Sequence, residues 1–183
     1  MKQPIIKTKH FTLRPFKIGD AESVAENVND KNIYRNTLVI PYPYFLKDAK
    51  QWLRKLTKNQ RRKILESVTF AIEIDGQAVG SISINEIKQE HKAEIGYWLG
   101  EKYQGKGIMT QVIKEMTRYG FRKLKLRRIY AQVFLFNKRS MRVLEKNGYK
   151  FEGMLKKEAR KDNKFLDCCV FAKTRSANKI KRN

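Results

Sequence analysis

The segment Gln104-Gly105-Lys106-Gly107-Ile108-Met109-Thr110 joins the end of a strand-like run to the start of a helix-like run. Backbone N–H groups in the first turn of a helix have no intrahelical partner and lie at the positive end of the helix dipole. Glycines at 105 and 107 let the main chain approach an anion with no Cβ in the way, and Lys106 adds a cation between them. The chemistry open to such a segment is phosphate binding. Two common phosphate binders are excluded by the residues themselves. The dinucleotide fingerprint needs a third glycine where Thr110 stands and an acid at the end of the following strand, which here reads Leu135-Phe136-Asn137. The ATP-binding loop needs Ser or Thr directly after its Gly-Lys pair, and Gly107 follows Lys106.

The surrounding chain supplies alternating strands and helices to hold this loop. His10–Phe16 alternates as a strand, Asp20 is placed to cap a short helix over Ala21–Asn29, and Leu38–Leu46, broken by Pro41 and Pro43, reads as a shaped loop. Lys47–Leu65 carries Trp52, Leu53 and Leu56 at helical spacing. Val68–Ile74 and Gln77–Ile87 form a hairpin across the turn Asp75-Gly76, and Ala93–Leu99 is a third strand in the meander. The loop Gly100–Gly107 leads into a helix from Ile108 to about Leu124, then a strand at Arg128–Phe136. A short helix, Lys138–Lys146, is closed by Asn147-Gly148. Two last strands follow, Tyr149–Leu155 and Lys164–Lys173, joined near Asp162-Asn163. There is no internal repeat and no interdomain linker, so the expectation is one α/β domain with a mixed sheet.

Three runs in this order are distinctive: Ala93-Glu94-Ile95-Gly96-Tyr97-Trp98-Leu99 before the loop, Asn137-Lys138-Arg139-Ser140 after its helix, and Leu144-Glu145-Lys146-Asn147-Gly148-Tyr149 beyond that. With the loop they resemble the GNAT superfamily of N-acetyltransferases, most closely its Rim type, which acetylates protein N-termini. The resemblance extends from about His10 to Ala172. The family loop pattern, Gln/Arg-x-x-Gly-x-Gly/Ala, is met by Gln104 and Gly107; Met109 departs from the small last residue. The resemblance implies a single-domain α/β GNAT fold, a mixed and mostly antiparallel sheet with a splayed central strand pair, flanked by helices. It implies an N-acetyltransferase domain over residues 8–173, with 174–183 left as a basic, disordered tail.

The same resemblance implies the roles of individual residues. The amides of Gln104, Gly105, Lys106, Gly107, Ile108, Met109 and Thr110 would bind the pyrophosphate of acetyl-CoA. Backbone groups of Tyr97, Trp98 and Leu99 would pair with the pantetheine amides, and one N–H would polarise the thioester carbonyl. Asn137 would contact the pantetheine arm, and its position equally suits a helix N-cap. The reaction would be aminolysis of a thioester, which needs a neutral amine and a proton for the departing thiolate. Glu94 resembles the general base, against the alternative of a solvated strand carboxylate. Ser140 resembles the general acid, against a first-turn serine that only assists the cap. A further acid used by the ribosomal-protein branch falls at Ala159, with Glu158 adjacent. Tyr42, Tyr44 and Phe45 either line the acceptor side or fill the core under their loop. Trp52, Trp98 and Tyr149 read as core, and Cys168 and Cys169 as small hydrophobes.

Composition limits the remaining classes. The chain has 183 residues, 41 Lys plus Arg against 18 Asp plus Glu, and a net charge of +23. Mean hydropathy is −0.64, the first ten residues contain no apolar segment, and no apolar run approaches membrane-spanning length. Two adjacent cysteines and two histidines make neither a disulfide framework nor a zinc pattern, so no metal and a cytoplasmic, soluble protein are expected. The positive charge favours polyanions. It is dense over Lys50–Lys63, over Arg118–Arg128 and in a tail from Lys173 to Arg182, either as solvated helix faces or as a surface for RNA or the ribosome. The expected partners are acetyl-CoA and an amine acceptor, foremost the N-terminal α-amine of a ribosomal protein. A homodimer is allowed and a membrane is not expected. The alternatives are an RNA- or ribosome-binding module on the same scaffold and an acetyltransferase for a small-molecule amine, although polycationic acceptors would be repelled unless a local acidic pocket exists.

Overall fold

A computed structural model describes residues 3–59 and 66–175. The described elements run β1 (Ile6–Lys7), β2 (Thr12–Arg14), α1 (Ala21–Val28), α2 (Lys31–Asn36), α3 (Leu46–Asn59), β3 (Val68–Ile74), β4 (Gln77–Asn85), β5 (Lys92–Leu99), α4 (Ile108–Arg122), β6 (Arg128–Phe134), α5 (Lys138–Lys146), β7 (Lys150–Lys161) and β8 (Lys164–Thr174). All eight strands lie in one sheet of order β1-β2-β3-β4-β5-β6-β8-β7. Every neighbouring pair is antiparallel except β5 and β6. That parallel pair sits at the middle of the sheet and is joined through α4, a crossover that parallel strands require.

The two sheet faces bury different helices. Residues that oppose one another across strands share a face, so Phe70, Ile82, Ile95, Tyr97, Ile129 and Phe171 point to one side. There they meet Val112, Ile113 and Met116 of α4 and Met141 and Leu144 of α5 in the larger core. Ala71, Ala78 and Trp98 point to the other side and pack with Val24, Val28, Ile33 and Leu53 from α1, α2 and α3. Gly120 sets the height of α4 over the sheet. A Cβ there would come within 2.7 Å of Ile129 Cδ1 and 3.0 Å of Ile84 Cδ1, so only glycine lets the helix approach this closely. Under α1 the Arg14 guanidinium is 5% exposed and donates to both carboxylate oxygens of Asp20 at 2.8 Å, with Nε paired to Glu73.

Several expectations are corrected. Asp20 does precede α1, but its carboxylate is engaged by Arg14 and by the Lys17 N–H at 2.8 Å, so it makes no side-chain cap. Helix α2 was not foreseen; Asp30 caps it through the Ile33 N–H at 2.7 Å. β7 runs six residues past Leu155 to Lys161, because register shifts near Gly153 and between Leu155 and Ala159 let it follow β8. β6 ends at Phe134, before Leu135 and Phe136. The expected helix over Lys47–Leu65 is seen as α3. Its continuation past residue 59, including Arg61, Arg62 and Lys63, lies outside the described residues, as does the tail from 176 onward. Tyr44 is core at 8% exposure, while Tyr42 and Phe45 are exposed.

Candidate active site

β5 and β6 are paired only at Lys92 with Arg128, Ala93 with Ile129 and Glu94 with Tyr130. β5 continues five residues to Leu99 with β4 as its partner, and β6 continues four residues to Phe134 with β8 as its partner. The two strands therefore part beyond Glu94, as the expected splayed pair should, and leave a wedge through the sheet. Backbone groups of Tyr97 face the β6 side of β5 and have no strand to pair with, whereas those of Trp98 face Ser81 of β4. A ligand carrying amides fits that edge as an added strand would.

The glycine loop lies at the wide end of this wedge. Gly105 and Gly107 have φ of +77° and +75°, the left-handed region, with nothing within 4 Å of an added Cβ. Gly107 is the N-cap of α4, so the first-turn amides from Ile108 to Thr110 face out of the helix end beside Lys106. Gln104 Nε2 donates to the Leu99 carbonyl at 2.8 Å and ties the loop to the end of β5. That carbonyl is thus already engaged and Trp98 is paired toward β4, so of the three expected backbone contacts on this strand only Tyr97 remains fully open.

Glu94 stands at the apex of the wedge on the α1–α3 face, the face it shares with Trp98. Its carboxylate accepts from the Gln132 N–H, and Glu86 approaches it from the end of β4. Burial pushes the Glu94 carboxyl above the ordinary carboxylate range; the Glu86 charge adds to this and the Gln132 N–H opposes it. Tyr130, opposite Glu94, donates to Glu86 Oε2 at 3.2 Å. Burial, then the Glu94 and Glu86 charges, push its phenol up to about 12, so it stays a donor. Glu86 was not foreseen. It sits at positive φ just past β4, and only the β4–β5 register places it near Glu94.

Ser140 and Asn137 lie on the opposite face. Asn137 Oδ1 accepts from the Ser140 N–H at 3.1 Å, the N-cap reading of Asn137. Ser140 Oγ is 2.7 Å from the Tyr97 hydroxyl. Tyr149 is 1% exposed, as expected of core, and its hydroxyl is 2.8 Å from Thr117 Oγ1. Cys168 and Cys169 are buried, and burial raises the Cys168 thiol to about 11, so it stays a neutral thiol at physiological pH.

Over the α1–α3 face the wedge is spanned by side chains. Lys161, at the tip of the β7–β8 hairpin, donates to the carbonyls of Tyr34 at 2.7 Å and Thr37 at 2.6 Å. The Tyr34 hydroxyl donates to Asp162 Oδ1 at 2.5 Å. Arg35 lies 5.1 Å over the Phe136 ring, just past β6. A cavity of about 390 Å³ opens beside this strap, lined by Leu38, Val39, Tyr42 and Arg160 among others. Among the described residues no group of three His, Cys, Asp or Glu could hold a metal ion, and no helix is long and apolar enough to cross a membrane.

Residues 10–150 match the acetyltransferase (GNAT) domain model. The chain is 33% identical over 105 residues to the ribosomal-protein-serine acetyltransferase of Escherichia coli, covering 57% of this chain and 59% of that one. It is 29% identical over 147 residues to the spermidine N(1)-acetyltransferase of the same organism, covering 80% and 76%. Its fold superposes on a RimL ribosomal alpha-N-protein acetyltransferase in complex with coenzyme A, with a TM-score of 0.84 and 22% identity over 93% of this chain and 98% of that one. A split central strand pair with a glycine loop at its mouth, in a chain whose domain model matches from residue 10 to 150, defines an acyl-transfer enzyme. The chain belongs to the GNAT acetyltransferase family of N-acetyltransferases, with acetyl-CoA as donor, and its fold is similar to that of Rim-type enzymes.

Proposed function

We propose that this enzyme acetylates the N-terminal α-amine of a protein, a ribosomal protein foremost, within the cytoplasm. The carrying observation is that Glu94 and Ser140 lie on opposite faces of the sheet at the same wedge. Acetyl-CoA would lie along β5 from the α4–α5 side, with its pyrophosphate on the amides of residues 104–110 and its pantetheine along the open backbone of Tyr97 and beside Asn137. The amine would arrive from the α1–α3 side, lose a proton to Glu94 directly or through water, and attack the carbonyl through the gap. The thiolate would leave toward Ser140. Residues 8–173 form the catalytic domain in this reading.

The choice of acceptor rests on charge. Glu94 and Glu86 at the apex favour an ammonium, so the local acidic pocket that a polycationic acceptor would also need is present. The approach is cationic, with Lys31 and Arg35 on α2 and Arg160 and Lys161 on the hairpin tip. A chain end carrying one amine and acidic or neutral residues behind it meets attraction at the apex and at the rim. A polyamine meets repulsion at the rim for each further charge it carries. The spermidine enzyme among the relatives makes the polyamine the second reading. The test is acetyl transfer to a panel of protein N-terminal peptides, with spermidine in parallel, read by mass. Faster turnover of spermidine than of any peptide sinks the N-terminal reading. Lys161→Met should raise the KM for the peptide and leave that for acetyl-CoA unchanged. The basic faces of α3 (Lys50, Arg54, Lys55, Lys58) and α4 (Lys114, Arg118, Arg122) are exposed and keep the RNA-docking alternative measurable by salt-dependent binding of ribosomal RNA.

A further inference from the structure

We infer that Tyr97 is a positioning residue for Ser140: its hydroxyl donates to Ser140 Oγ and so reserves the serine's own proton for the departing sulfur. The inference rests on the reading of Ser140 as the proton donor and extends it to a second side chain, on β5.

The reading of Ser140 as proton donor requires one direction for this hydrogen bond. Tyr97 and Ser140 are 43 residues apart and are brought to 2.7 Å by the packing of α5 over the end of β5. Either oxygen could donate across that distance. The Ser140 N–H is already bonded to Asn137 Oδ1, which fixes the serine at the first turn of α5 and orients its side chain. Each hydroxyl has a single proton. If Ser140 spent its proton on Tyr97, it would offer sulfur only lone pairs, and a departing thiolate would be repelled. If Tyr97 donates, the Ser140 O–H is free to turn to the sulfur. Burial raises the Tyr97 phenol to about 12, with the serine contact opposing, so the phenol keeps its proton throughout neutral pH and has one to donate. The neighbouring Tyr149 hydroxyl is engaged with Thr117, which leaves Ser140 as the partner Tyr97 reaches.

In the transfer step the amine nitrogen forms a bond to the acetyl carbon, the C–S bond breaks, and sulfur leaves with the electron pair. Sulfur takes the Ser140 Oγ proton. The nitrogen sheds two protons in going from ammonium to amide. One of these, through solvent, restores Ser140, and the other is released. Tyr97 neither gains nor loses a proton; it holds the serine hydroxyl in its donating orientation.

A double-mutant cycle tests this. Tyr97→Phe removes only the hydroxyl oxygen and should lower kcat by roughly 10- to 100-fold, the range expected of a misplaced acid, with the KM for acetyl-CoA unchanged. Ser140→Ala should lower kcat at least as much, and the double variant should be no slower than Ser140→Ala alone, because the tyrosine acts only through the serine. In a Ser140→Thr background, which keeps a hydroxyl, the Tyr97→Phe loss should return. Retention of the acetyl-CoA-induced rise in Tm by Tyr97→Phe confirms that fold and coenzyme binding survive. Multiplying losses in the double variant, or a Tyr97→Phe enzyme with full kcat beside a slowed Ser140→Ala, overturns the inference while leaving Ser140 in place. Full activity in Ser140→Ala overturns the serine's role, and the inference with it.

Discussion

Glu94 and Tyr130 are the last residues at which the central parallel strands face each other; one position further the sheet divides. The same pair closes the apex electrostatically, since the Tyr130 hydroxyl donates to Glu86 and Glu86 in turn pushes up the Glu94 carboxyl. The proposed base, Glu94, is thus placed where the wedge begins.

This arrangement sets a pH dependence. Glu94 must be ionised to accept a proton, and its carboxyl is raised above the ordinary value, first by burial and then by Glu86. Activity should therefore fall as pH drops through that raised value. Glu86→Gln removes the repulsion that favours the protonated form, so the acidic limb of the kcat/KM profile should move to lower pH. A limb that stays put, or moves up, would show that Glu86 does not act on the base.

Coenzyme binding should depend on Gly107 more than on any side chain of the loop. At φ +75° an L-residue is strained by roughly 1–2 kcal/mol, and a branched side chain would also stand in front of the α4 amides. Gly107→Val should abolish most of the acetyl-CoA-induced rise in Tm while leaving the fold intact by circular dichroism. An undiminished rise would remove the phosphate from this loop.

The ion pair under α1 should matter for stability rather than turnover. Asp20→Ala leaves the Arg14 guanidinium buried with only Glu73 as a charged partner, a change that typically costs about 3–5 kcal/mol. Chemical denaturation should show that loss as a lower midpoint with an unchanged slope, while kcat at a temperature well below Tm stays near the parent value.

Much of the frame is legible in the sequence because it depends on local rules. The strand-like run Val68–Ile74, the Asp75-Gly76 turn and the glycines of the loop each dictate their own backbone, and the structure keeps all three. Asn137 as a cap is equally local. The features that escaped depend on partners far along the chain. Asp20 looks like a cap until Arg14 is folded against it. Leu155 looks like a strand end until register shifts against β8 carry β7 on to Lys161. Glu86 lies between elements and becomes part of the site only through its neighbours' register, and the Tyr97–Ser140 contact joins two residues that the sequence puts in separate motifs.

Lys161 grips α2 across 127 positions of sequence. The strap across the wedge therefore draws on two segments far apart in the polypeptide. During synthesis, a nascent chain that has already emerged from α1 to α5 would hold the proposed coenzyme cradle yet lack the strap across the wedge, which would arrive only with the β7–β8 hairpin.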